Sequence, residues 1–171
     1  MKRKYLAAVL LTAFLADAIE TATALELSQY NKLNTVSRIV NDSEVTDLLR
    51  KALGSDYQTF INNFDVFGEP HSTADGGLLI EGWLKDLYLE NASALVIEPD
   101  GKIYAAWVIP ESDVIHYQSS EHRQDINGDI KKWAARFGTL HFETISQFWS
   151  RIWRSMVRRV RERLDVNSAV S

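Results

Sequence analysis

The chain has 171 residues, no cysteine and a formal net charge of −4. Those figures exclude a disulfide framework and a cysteine zinc site, and leave one domain held by packing alone. The charge is uneven: residues 25–148 carry ten Lys/Arg against nineteen Asp/Glu, whereas residues 149–164 carry six Arg against one Glu. So acidic a body speaks against nucleic acid and suits a cationic protein partner.

The chain opens with Lys2, Arg3 and Lys4, followed by the apolar run "YLAAVLLTAFLA" and by Ala22-Thr23-Ala24. Positive residues, an apolar stretch and an A-x-A site predict a secretory signal peptide over 1–24, with Ala16-Asp17-Ala18 as a competing cleavage point. The run is shorter than the ~20 residues of a spanning helix. The expectation is a periplasmic or secreted protein whose mature part, 25–171, is a single α+β domain.

Residues 25–40 read as a short helix or an ordered arm. Residues 41–53 form an amphipathic helix, with Asn41 as cap, Glu44 three residues on, and Val45, Leu48, Leu49 and Leu53 in one stripe. Gly54 ends it. Ser55, with Gln58 at the capping-box position, opens a second helix that buries Tyr57, Phe60, Ile61 and Phe64.

From Asp65 the period changes to that of strands. Val66-Phe67 is a first strand, "PHSTADGG" a turn, and 78–83, 93–98, 102–109 and 113–117 are strands joined by short loops. Sequential strands on short connections predict an antiparallel meander of four to five strands. After a polar loop, a short helix over 129–137 turns Ile130, Trp133, Ala134 and Phe137 inward and stops at Gly138. The longest helix, 141–164, follows.

Catalytic motifs are absent: no HExxH, GxSxG or glycine-rich phosphate loop occurs. His71, His116, His122 and His141 are scattered without ligand spacing. His71, in a turn, is a candidate partner contact, the alternative being a solvated loop histidine. His116 is expected at the surface, on the less apolar face of "DVIHY". No metal or cofactor is predicted and the chain is not read as an enzyme; the alternative is an enzyme whose site carries no motif, built on carboxylates such as Glu81, Asp86, Glu90 and Glu98.

In the last helix Phe148, Trp149, Ile152, Trp153, Met156, Val157 and Val160 form an apolar side, with Arg151, Arg154, Arg158, Arg159, Arg161 and Arg163 around it. A basic amphipathic helix with Trp has three uses. It packs on the sheet with its arginines in water or paired to the acidic body, it docks on an anionic membrane surface, or it self-associates. Trp149, Arg151, Trp153, Arg154 and Arg158 mark this helix as the membrane or packing element. A peripheral membrane-associated protein is accordingly the alternative function.

With helices ahead of a meander, and the hairpin "SALVIEPDGKIYAAWV" at its centre, the chain resembles the Ivy-type family, inhibitors of vertebrate lysozyme. The resemblance spans about residues 49–117. It implies a periplasmic α+β protein that inserts a protruding loop into the cleft of a cationic lysozyme. In that family the loop lies just before the hairpin and is closed by two cysteines around a histidine. The corresponding stretch here, "WLKDLY", has neither. Position alone therefore nominates Trp83, Lys85, Asp86 and Tyr88 as contacts, against a reading in which Trp83 and Tyr88 pack in the core. The expected function is an exported protein that binds or inhibits a cationic envelope partner, with a lysozyme-like hydrolase as the named candidate.

Overall fold

The computed structural model describes residues 24–121 and 125–168. The expected signal peptide, apart from Ala24, lies outside the described residues, as does His122.

Residues 25–40 contain two 3-10 turns, Leu27–Tyr30 and Val36–Asn41. Helix α1 (Ser43–Leu53) starts one residue later than the sequence suggested: Asp42, not Asn41, is the cap, its Oδ1 accepting from the Val45 amide at 3.1 Å. The second Asp42 oxygen accepts from the Tyr30 hydroxyl at 2.8 Å. The Val45 amide, and then Tyr30, hold the Asp42 carboxyl below its usual range, while burial and Asp42 push the Tyr30 hydroxyl up to about 12. One carboxylate thus caps a helix and pins the N-terminal arm to it.

Gly54, at φ 53°, ends α1 with a backbone that side-chain-bearing residues rarely adopt. A 3-10 turn, Gly54–Asp56, leads into α2 (Tyr57–Ile61). No side chain caps α2; Gln58, expected in a capping box, donates instead to the Asn62 oxygen at 2.7 Å.

Strands β1 (Val66–Phe67), β2 (His71–Ser72), β3 (Leu78–Trp83), β4 (Ala92–Ile97), β5 (Ile103–Val108) and β6 (Val114–Ser119) pair antiparallel, in the order β1-β3-β4-β5-β6, with β2 also on β3. The expected meander is its centre. Helix α3 (Gly128–Ala134) follows, capped by Asn127, whose Oδ1 accepts from the amides of Asp129 and Ile130. Next comes a feature that periodicity did not reveal. His141–Phe142, expected to start the last helix, forms β7, parallel to β6 with Val114 beside His141. Helix α4 (Ile145–Ser168) begins after it.

Period 2 divides the sheet between two cores. Leu78, Ile80, Leu95, Ile97, Ile103, Ala105 and Trp107 meet α1, α2 and the N-terminal turns. Ala92, Ala94, Val96, Ala106, Val108 and Ile115 meet Ile130, Trp133, Ala134 and Phe137 around α3. Strand β4 is covered on both faces and is buried at every position, which is why it reads as a continuous apolar run. A polar pin crosses the first core. Asn63 donates to Ser93 Oγ at 3.1 Å and to the Val108 carbonyl at 3.3 Å, and Ser93 donates to the Phe60 carbonyl at 2.9 Å. This fixes the end of α2 against the end of the hairpin from which the next loop departs.

Candidate functional site

Residues 84–91 connect β3 to β4 and stand at one end of the sheet. The Leu84 amide donates to the Asn91 carbonyl at 3.0 Å, extending the strand ladder and closing the neck of the loop. Inside it, the Leu87 amide donates to Leu84 and the Asn91 amide to Leu87, at 2.9 and 2.8 Å. Asp86 adopts φ 65°, a left-handed conformation that Asp tolerates better than most residues. Lys85, Asp86, Tyr88, Leu89 and Glu90 are exposed as a result.

The loop is braced from outside. Tyr88 packs edge-on against Trp83, ring centroids 4.9 Å apart. Arg136, just past α3, covers the Tyr88 ring at 5.1 Å and donates to its hydroxyl. The same guanidinium nitrogen is 2.5 Å from Glu81 Oε2 on β3, and Arg136 Nε donates to the Trp133 carbonyl at 3.0 Å. One arginine therefore ties helix, sheet and loop together, in a fork geometry that a lysine would not reproduce.

Beside the loop lies a hollow of about 570 Å³, lined among others by Leu89, Glu90, Pro110, Glu111, Arg136 and Leu140. Asp86, Glu90, Glu111 and Asp113 are exposed in the two loops at this end, and Lys85 is the cation of those loops. The rim is acidic around an apolar floor, so the electrostatic field at this end favours positive charge.

The candidates separate. Trp83 is half-buried and belongs to the α3 core. Lys85, Asp86 and Tyr88 share the exposed loop, Tyr88 being 41% accessible, so the core reading fits Trp83 and not Tyr88. His71 is exposed in β2 but pairs with Leu79, four residues along β3 from Trp83, about 13 Å at the rise of a strand. It is not brought to the loop. Sequence spacing does not mark Arg136 and Glu81 as a pair, because their partnership joins residues 55 apart on different elements.

A second polar cluster lies beneath the start of α4. Arg151 bonds both oxygens of Asp56, at 2.8 and 3.0 Å, and both oxygens of Glu143, at 2.9 and 3.1 Å. Glu143 also pairs with His116 Nδ1 at 3.1 Å, and Gln118 donates to Asp56 at 2.8 Å. His116 is 4% exposed and stacks on Trp107 at 5.3 Å. The expected surface position is corrected: β6 is not an edge strand, since β7 and Glu143 cover it. A hollow of about 580 Å³ adjoins this cluster, lined among others by Lys51, Leu53, Tyr117, Phe148, Trp149 and Ile152.

The root of α4 packs on the body through Arg151, whereas most of its apolar stripe stays open. Trp149, Trp153, Met156 and Val157 are 62%, 68%, 46% and 41% exposed, and Arg154 and Arg158 face solvent. Phe148 and Ile152 are half-buried against the body.

Glu81, Glu98 and His71 line neither hollow. Among the described residues no group of three or more His, Asp or Glu is placed to hold a metal ion, and no helix is long and apolar enough to cross a membrane.

A family model described as Inhibitor of vertebrate lysozyme (Ivy) matches residues 44–139, more than half of the chain. No curated protein and no solved structure matches it. The matched segment runs from α1 to the turn after α3 and includes the 84–91 loop; α4 lies beyond it.

Proposed function

Because the chain belongs to the Ivy family of vertebrate-lysozyme inhibitors, we propose that it is an exported inhibitor that grips a cationic, lysozyme-type hydrolase with residues 84–91. The observation that carries this reading is the loop itself. It protrudes directly ahead of the β4–β5 hairpin, with Lys85, Asp86 and Tyr88 turned outward. In the family the resemblance describes, two cysteines close this loop. Here the Leu84–Asn91 backbone bond and the Arg136 clamp on Tyr88 take over that bracing. Preorganising a loop lowers the entropy lost when a partner seats on it.

The acidic rim supports the cationic partner, and the leader at 1–24 supports export to the periplasm or beyond. The role is that of a binding protein: no catalytic motif is present, and of the carboxylates Glu81, Asp86, Glu90 and Glu98 a hollow brings in Glu90 alone, without a second of them to act as its acid or base partner. Lysozyme activity titrated with excess purified protein tests it. Falling activity and a co-eluting complex on a sizing column are expected. Full activity of several lysozyme types at saturating protein, with no complex, would sink it.

A further inference from the structure

We propose that α4 is an interfacial anchor for an anionic phospholipid surface, and that it holds the protein with the 84–91 loop directed away from that surface. The anchor stands on its own observations; only the use of the outward-facing end rests on the inhibitor reading.

Trp149, Trp153, Met156 and Val157 are spaced i, i+4, i+7 and i+8, which makes one stripe along the helix, and all four are exposed. Arg154, Arg158 and Arg161 repeat at i, i+4 and i+7 along one flank, and Arg159 stands on the other. All four arginines are exposed. Arg151 is different: Asp56 and Glu143 use it to fasten the root of the helix to the body. A fixed root, a bare apolar stripe with two tryptophans, and cations along both flanks suit a helix lying in a lipid interface.

Charge decides between lipid and a second copy. Residues 149–164 hold six Arg and one Glu. Pairing two such stripes would bring arginine flank against arginine flank, without acids to answer them. Anionic headgroups answer them directly. The acidic body is repelled by the same surface, which favours a pose with the helix beneath and the body above.

Topology sets what then faces outward. Strand β7 runs parallel to β6 from the Val114 end, so the chain enters α4 heading for the Ser119 end. There Phe148, Trp149 and Ile152 share a hollow with Tyr117 to Ser119. Loop 84–91 belongs to the other end, where Trp83 pairs with Ala92 and Ala92 with Val108.

The test is sedimentation of the chain from Leu25 onward with vesicles of phosphatidylglycerol in phosphatidylcholine, against phosphatidylcholine alone. The wild type is expected to bind the anionic vesicles, to release as salt rises, and to shift its tryptophan emission to the blue. W149S/W153S and R154E/R158E, all at exposed positions, should each bind at least about tenfold more weakly with unchanged circular dichroism. Absence of binding to anionic vesicles, or equal binding by wild type and W149S/W153S, overturns the anchor. So does a dimer on a sizing column that W149S/W153S dissolves while vesicle binding is unaffected, since the stripe then belongs to a second copy. Lysozyme inhibition by the same variants is read separately, so failure of the anchor and failure of the inhibitor reading are distinct results.

Discussion

Arg151, in the second turn of α4, closes on Asp56 at the junction of α1 and α2 with two bonds of 2.8 and 3.0 Å across 95 residues of sequence. It is also the charge partner of Glu143, whose side chain is only 5% exposed. Removing a cation from such a site leaves carboxylates desolvated and unpaired. Arg151→Ala is therefore expected to destabilise the protein by about 2–3 kcal/mol, read as a lower urea midpoint. Arg158→Ala, on the exposed part of the same helix, should change stability by less than about 0.5 kcal/mol.

Glu143 makes the same cluster sensitive to acid. Burial raises its carboxyl pKa, but the hydrogen bonds from Arg151 and His116 outweigh burial and leave it below the ordinary value of 4.5. A depressed folded-state pKa contributes stability that is present above the unfolded value and lost as pH falls through the folded one. Glu143→Gln should be less stable than wild type at pH 7. The gap should narrow as pH falls below 4.5, and denaturation curves across that range check it.

Glu98 behaves in the opposite sense. Burial is the main cause that raises its pKa; Asp75, Asp100 and Asp129 add to it, and the Thr73 hydrogen bond opposes it. Thr73 Oγ1 donates to Glu98 at 3.2 Å and accepts from the Gly77 amide at 2.9 Å. A raised carboxyl favours folding while protonated and loses that advantage as pH rises through the folded pKa. Glu98→Gln keeps an acceptor for Thr73 without the charge. It should gain roughly 1 kcal/mol at pH 7 and match wild type well below pH 4.5, as followed by thermal melts at the two pH values.

The contrast between these clusters explains what the sequence made legible. Alternation and the Pro99-Asp100-Gly101 turn locate β3 to β6 within a residue or two, because both faces of that sheet are filled by local pattern. His116 misleads because its cover comes from Glu143, 27 residues on, through a two-residue parallel strand too short to carry a period. In α4 the heptad-like stripe is plain, but amphipathicity states only that a face is apolar. It does not say what covers that face, and Trp149 and Trp153 stay open. At the loop, position before the hairpin picks out Lys85, Asp86 and Tyr88, which the structure exposes together. The Arg136 clamp was not visible, since it reaches Tyr88 from 48 residues away on another element.

That clamp gives the inhibitor reading its sharpest test. Lys85 and Asp86 are exposed, and no salt bridge engages either side chain among the described residues. Lys85→Ala and Asp86→Ala should leave the denaturation midpoint unchanged, and at least one should weaken lysozyme inhibition about tenfold or more if it sits at the centre of the contact. Arg136→Ala acts indirectly. It frees Tyr88 and leaves the half-buried Glu81 without its cation, so it should cost about 1–2 kcal/mol of stability and also weaken inhibition. Tyr88→Phe separates the two effects, because the ring can still pack on Trp83 while the hydroxyl bond to Arg136 is gone. Its inhibition should fall between wild type and Arg136→Ala. Raising salt should weaken inhibition by the wild type, as expected for an acidic rim meeting a cationic enzyme. Undiminished inhibition by the triple variant Lys85→Ala/Asp86→Ala/Tyr88→Ala, still folded by circular dichroism, would move the contact surface away from residues 84–91.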